Sequence, residues 1–250
     1  MRIVVNADDW ALEPIRDKAI VECFHRGWLS QTTAVMNRPG LEAATELARR
    51  EGIANRVGLH INLIYDKPLT DGIRRCPLFC DDEGIFNAKF HLSAKTRLWL
   101  PSAVKRMVAD EVRAQVKKYK ACGFTLMHAD SHQHSHTDFA ITPLIVEVLK
   151  AEGFRSLRIA RNMGNGMSLP NRVYKKLFNS YLKEKGLAFT DYFGSIRDFV
   201  VSRDRLPKNA RVELMCHPML TKGGQDCEDG ELSDFYHPFD VGLMNGLHLV

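Results

Sequence analysis

Short apolar runs alternate with amphipathic segments over the first 160 or so residues of the 250-residue chain. Arg2 to Asn6 reads as a buried strand, and Ile15, Ala19, Cys23 and Phe24 then recur at helical spacing. Thr32 to Met36 predicts a second strand, Leu41 to Arg50 a second helix, and Arg56 to Leu63 (RVGLHINL) a third strand with His60 near its end. Residues 65 to 95 are rich in Asp, Gly, Pro and Cys and lack a clear period, which marks them as a candidate substrate loop. Pro101 can open a helix in which Val104, Val108, Val112 and Val116 stack on one face. Phe124 to Ala129 predicts a fourth strand. A helix through Ile141, Leu144, Ile145, Val148 and Leu149 follows, then a fifth strand from Ser156 to Ala160. Beyond a loop around Gly164 and Gly166, Arg172 to Lys185 reads as a helix and Arg211 to Cys216 as a late strand.

No repeat, low-complexity tract or linker interrupts this order, so residues 1–250 read as one domain. Strands alternating with helices predict an α/β fold: a mainly parallel sheet with helices outside it, open or closed into a barrel. In a parallel barrel the carboxyl ends of all strands share one face, where active sites are assembled. The polar clusters fall at such ends. NADDW (6–10) follows the first strand, His60 ends the third, HADSHQHSH (128–136) ends the fourth, and His217-Pro218 ends the late one.

Composition adds mainly exclusions. With 45% hydrophobic and 26% charged residues and a formal charge of +5, the chain is an ordinary globular sequence without a polybasic block, so a nucleic-acid partner is not expected. The apolar run after Met1 is too short for a membrane span or signal core, and a soluble, cytoplasmic protein is expected, with no membrane partner. The six cysteines form no C-x-x-C pair and read as free thiols; Cys76 and Cys80 have no second pair with which to complete a metal site.

The clusters carry the chemistry. Asp8 and Asp9 are adjacent, so on an extended strand they point to opposite sides. One can ligate a metal while the other acts as a base, or one can cap the helix that starts near Glu13. Two histidines and a carboxylate from different strand ends suit a hydrolytic divalent ion, with His60 and one or two of the HADSHQHSH imidazoles as the nitrogen donors. If that segment is extended, His132, His134 and His136 share one face, and those that do not bind the ion become supporting or substrate-contacting residues. Asp130 is placed to fix an imidazole tautomer. His217 is a candidate general acid. Arg158 and Arg161 are candidates to hold a carboxylate or a sugar hydroxyl.

Four motifs, NADDW, GLHINL (58–63), HADSHQHSH and ELMCHP (213–218), occur in the order and approximate positions found in the YdjC-like carbohydrate deacetylases, which this chain resembles from residue 3 to about 218. The resemblance implies a deformed, TIM-like (β/α) barrel related to polysaccharide deacetylases, and a metal-dependent hydrolase that removes N-acetyl groups from an amino sugar or short oligosaccharide. It implies Asp9, His60 and His132 as metal ligands and Asp8 as catalytic base; the residues themselves leave His217 as the candidate acid and Asp130, His134, His136 and Arg158 as supporting or substrate-contacting candidates. Zn²⁺ suits that donor set, and Mg²⁺, Mn²⁺ or Co²⁺ fits it with more bound water. The expected partner is an N-acetylated sugar, and a homodimer is left open. Trp10 and Ala11 replace the family's usual Phe-Gly, Ile64 its Thr and Met219 its Gly, all of which alter the pocket wall. A metal-dependent phosphoester hydrolase and a non-catalytic sugar- or metal-binding barrel are the competing readings.

Overall fold

The computed structural model describes residues 1–221, 227–232, 235–239, 241–247 and 249. Seven parallel strands form its main sheet: β1 (Arg2–Trp10), β2 (Gln31–Val35), β3 (Val57–Ile61), β4 (His128–Ser131), β5 (Ser156–Leu157), β6 (Tyr192–Ser195) and β7 (Arg211–Cys216), in the spatial order β5-β4-β3-β2-β1-β7-β6. β1 lies inside the sheet between β2 and β7, and its residues 3–10 are all buried because the sheet is covered on both faces. The edges β5 and β6 curl back towards each other. Asn162 and Met163 donate their backbone N–H groups to the Phe193 carbonyl at 3.1 and 3.2 Å, and Phe193 N–H donates to Asn162 Oδ1 at 2.8 Å. The result is a deformed, incompletely laddered barrel.

The helices follow from the pattern. α1 (Pro14–His25) starts with proline in its first turn and α2 (Leu41–Arg50) buries Leu41, Ala44, Thr45 and Ala48. The 65–95 segment is not structureless: it contains α3 (Asp71–Arg74) and α4 (Lys89–Leu92), with α5 (Ala94–Leu98) at its end. Burial of Phe79 and Phe90, stacked at 4.2 Å, anchors it. α6 (Ser102–Ala121) buries Val108, Val112 and Val116 as expected, and packs against α7 (Thr142–Ala151). α8 (Leu169–Glu184) precedes β6, and α9 (Ile196–Ser202) follows it with a Ser195–Asp198 capping box. An antiparallel sheet of β8 (Pro218–Leu220), β9 (Cys227–Leu232) and β10 (Phe235–Pro238) and a short α10 (Val241–Asn245) end the chain, with β8 against α1.

β1 runs on from Asn6 to Trp10, and β4, β5 and β6 also differ from the sequence reading. β4 begins at His128 rather than Phe124, because the carbonyl of Leu126 is taken by the Tyr119 hydroxyl and the His128 N–H instead of a ladder partner. β5 is two residues long, although Arg158 N–H still reaches the Ala129 carbonyl at 2.9 Å. β6 carries no readable alternation. Among the described residues no helix is long and apolar enough to cross a membrane.

Candidate active site

The carboxyl ends of β1, β3, β4 and β7 surround a cavity of about 940 Å³ whose lining includes Asp8, Asp9, His60, His132, His134 and His217. Local backbone strain brings the two adjacent aspartates to it together. Asp9 has φ +70°, in the left-handed region that L-residues rarely adopt, and the β1–β2 register shifts between Ala7 and Trp10. This bulge corrects the expectation of opposite faces, and both carboxylates line the cavity. Neither aspartate caps α1, whose N-cap Glu13 has no side-chain cap; Asp17 instead accepts from the Ala11 N–H at 2.7 Å.

Asp9 Oδ1 lies 3.1 Å from His60 Nε2 and 2.9 Å from His132 Nδ1, and ligand atoms of the three residues lie within 4.8 Å of one another. Asp130 Oδ1 is 2.7 Å from His60 Nδ1. Carboxylates only accept, so both ring nitrogens of His60 carry protons, Nδ1 towards Asp130 and Nε2 towards Asp9, and Nε2 is the nitrogen that an ion would take. The sequence predicted such a role for Asp130 within its own segment; the structure gives it a partner on the neighbouring strand. Burial opposes the charged imidazole of His60, but Asp130 and Asp9 outweigh it and raise its pKa to about 10. Burial likewise opposes ionisation of Asp9, and the hydrogen bonds from His132 and His60 overcome it, holding the pKa well below the usual range. A charged donor set of one carboxylate and two imidazoles, one of them braced by a second carboxylate, fits a divalent ion.

HADSHQHSH does not stay extended. Gln133 and His134 have φ +50° and +56°, so His132, His134 and His136 do not share a face. His134 lines the cavity with its Nδ1 buried and unpartnered, and burial lowers its pKa to about 3. His136 turns inward, fully buried: its Nε2 lies 3.0 Å from the Arg158 carbonyl and its Nδ1 2.6 Å from Ser131 Oγ. A carbonyl only accepts, so Nε2 carries the proton and Nδ1 accepts from the serine. His136 is therefore a buttress of β5 and not a substrate contact. His217 Nε2 is 3.9 Å from Asp8 Oδ2, and the His217 N–H donates to Asp229 Oδ1 at 2.8 Å.

Arg158 differs most from expectation. It is 1% exposed and reaches no substrate space. Its Nη1 and Nη2 donate to Asp8 Oδ2 and Oδ1, both at 2.7 Å, its Nη2 also meets Asp130 Oδ2 at 2.7 Å, and its Nε donates to Glu213 Oε1 at 2.5 Å. Burial raises the Asp8 pKa, but Arg158 overrides it and keeps the carboxyl ionised far below the ordinary range. Arg161 does line the cavity, held by Asp198. The sequence reading missed Asn6, whose amide donates to Asp8 at 2.7 Å; Thr33, which donates to Asp130 at 2.9 Å; and Glu213. The signal for Glu213 was a lone acid in the apolar run VELMC, which a strand covered on both faces buries only against a cation.

Burial of these groups makes stability depend on pH. Burial lowers the pKa of His128 to about 4, of His134 to about 3 and of His136 well below its ordinary value. A histidine depressed in the folded state gives stability that is present above pH 6.5 and lost as pH falls towards the folded pKa, at about 1.4 kcal/mol per pH unit. Asp17, raised by burial to about 6, and Glu213, also raised by burial, act in the opposite sense, gaining stability as pH falls through their folded pKa values. Three depressed histidines against two raised carboxyls leave a net loss of stability as pH falls below 6.5. Urea unfolding midpoints are expected to drop from pH 6.5 to 5, and constant midpoints would contradict this balance.

The sequence pattern of the YdjC-like protein family matches residues 2–235, and the chain belongs to that family. It is 29% identical over 228 residues to a carbohydrate deacetylase of Brevibacillus brevis, covering 87% of this chain and 81% of the relative. It is 33% identical over 167 residues to the human carbohydrate deacetylase, covering 66% of this chain and 50% of the relative, and 32% identical to the mouse one over the same length, covering 66% and 53%. The chain thus spans about half the length of these mammalian relatives. In fold it is similar to the crystal structure of a candidate cellobiose-phosphate cleavage protein from Enterococcus faecalis V583, with a TM-score of 0.69 at 21% identity, covering 89% of this chain and 82% of that one.

Proposed function

We propose that this protein is a metal-dependent hydrolase that removes N-acetyl groups from an amino sugar or short oligosaccharide, releasing acetate. The observation that carries the reading is the meeting of Asp9, His60 and His132 in one cavity with a pinned carboxylate, Asp8, beside them. The names of the relatives support it. Asp9, His60 and His132 would hold a divalent ion, which supplies Lewis-acid polarisation of the acetyl carbonyl and acidification of water.

The side chains divide the remaining work. Asp8 accepts the proton of the attacking water. Its two-point grip by Arg158 fixes the orientation of the carboxylate and keeps it ionised and weakly basic. His217, on the Asp8 side of the cavity, protonates the departing amine. His134, held neutral by burial, offers the sugar a hydrogen-bonding group without adding charge. Among the described residues, the two other acid and histidine clusters, Asp8–His60–Asp130 and His128–Asp130–Glu213, are buried and share the Arg158 cation, which disfavours a second ion and with it two-ion phosphoester chemistry.

Metal analysis of the purified protein, followed by assays on short N-acetylglucosamine oligomers and on a generic phosphoester, tests the reading. One equivalent of divalent ion and acetate release without phosphate release are expected. Phosphate release, or full turnover after exhaustive chelation, would overturn it.

A further inference from the structure

The 65–95 segment, whose sequence marks it as a candidate substrate loop, starts from a rigid base. The buried side chain of Asn62 accepts from the Ile64 and Tyr65 N–H groups, both at 3.0 Å, and donates to the Tyr65 carbonyl at 2.7 Å. Asn37 donates to the Tyr65 and Lys67 carbonyls at 3.0 and 2.9 Å. A few residues on, buried Glu111 accepts from the Leu69 and Thr70 N–H groups at 3.0 and 2.8 Å. The Tyr65 backbone is therefore fixed, yet its side chain leaves the residue 49% exposed. An exposed aromatic ring on an immobilised backbone is a contact surface that loses little entropy on binding.

The ring is oriented as well as held. Arg38 lies over it at 5.0 Å from the centroid, and Arg38 is itself fixed by Asp66 and by the Leu12 carbonyl. Leu12 and His132 line the candidate active-site cavity, and the Tyr65 ring centroid is 6.4 Å from that of the His132 imidazole. Tyr65 thus stands at the rim of the cavity, next to a proposed metal ligand. We propose that Tyr65 is a specificity-determining residue, a platform on which the apolar face of the substrate's pyranose ring stacks while its N-acetyl group faces Asp9, His60 and His132. This rests on the deacetylase reading and adds to it the group that recognises the sugar ring.

A pyranose presents C–H groups on its faces and hydroxyls at its edge. The negative π face of an aromatic ring attracts those C–H groups and buries apolar area against them, which charged side chains cannot do. Aspartates, histidines and arginines make up much of the cavity lining, and among the described residues no phenylalanine, tyrosine or tryptophan lines it. Two such rings meet its histidines: Phe193 against His134, which is buried, and Tyr65 against His132, which is open. Tyr65 is therefore the ring that can offer a flat apolar surface to a sugar.

The test compares the metal-loaded wild-type protein with Tyr65→Ala and Tyr65→Phe on the disaccharide of N-acetylglucosamine. In Tyr65→Ala, KM should rise about 5- to 30-fold, the scale of a lost aromatic contact, with bound metal unchanged. Because stacking acts alike on bound substrate and transition state, kcat should stay within about twofold. Tyr65→Phe keeps the flat ring without the hydroxyl and should match wild type in both constants. An unchanged KM in Tyr65→Ala, a loss carried by kcat, or a Tyr65→Phe protein as impaired as Tyr65→Ala overturns the proposal. If wild type releases no acetate, the hydrolase reading has failed, and calorimetric titration of the same disaccharide decides the role of Tyr65 separately. Binding weakened about 5- to 30-fold in Tyr65→Ala and retained in Tyr65→Phe supports it, and any other pattern, including no detectable binding, overturns it.

Discussion

Asp9→Asn and His60→Ala proteins are expected to lose bound divalent ion and to release acetate roughly 10³-fold more slowly than wild type or worse, the scale on which a principal electrostatic stabiliser acts. The geometry predicts a graded series below that. Asp130→Asn leaves all three proposed ligands in place but removes the carboxylate that holds His60 Nδ1 at 2.7 Å, so metal affinity should fall about 10- to 100-fold, with activity recovered at high metal concentration. His136→Gln touches neither ion nor cavity and should act through stability alone, since both ring nitrogens of His136 are spent on Ser131 and the Arg158 carbonyl. Metal content by elemental analysis and activity across a metal titration check the order. Full metal content and turnover in His60→Ala would show the assigned site to be wrong.

The parts of this site that were legible in the sequence are those set by strand ends. The apolar runs before NADDW, around His60 and before His217 place those residues at carboxyl termini, and parallel topology does the rest: β1 and β7 pair in register from Arg2 with Arg211 to Ala7 with Cys216. Side-chain direction was not legible. Period-two reasoning separates Asp8 from Asp9 and aligns His132, His134 and His136, and in both places positive φ values at non-glycine residues undo the alternation. Such conformations are held by tertiary contacts and leave little trace in local pattern. β6, with Tyr-Phe-Gly-Ser, was missed because neither alternation nor β-branching marks it. Arg158 looked like a substrate-holding arginine rather than a buried clamp because its three acids come from β1, β4 and β7, at positions up to 150 residues away.

Arg158→Met should be among the most damaging single substitutions in the molecule, although Arg158 touches neither the proposed ion site nor the cavity. Methionine fills much of the volume but leaves Asp8, Asp130 and Glu213 buried without their shared cation. Breaking one buried ion pair from one side costs about 3–5 kcal/mol, which for a chain of this size corresponds to a fall in Tm of roughly 6–20 °C. The carboxylates can relieve the loss only by taking up protons. Their folded-state pKa values then rise above the unfolded ones, so the variant gains stability relative to wild type as pH falls from 7 towards 5. Arg158→Lys restores one point charge without the fork and should recover only part of the loss. Calorimetric melting at pH 7 and 5 reads both effects, and a Tm within about 2 °C of wild type at pH 7 would contradict the assignment. The same guanidinium keeps Asp8 ionised and weakly basic. A stabilised background carrying Arg158→Met should therefore show the acidic limb of its pH–rate profile displaced upward, as expected if the proton of the attacking water passes to Asp8.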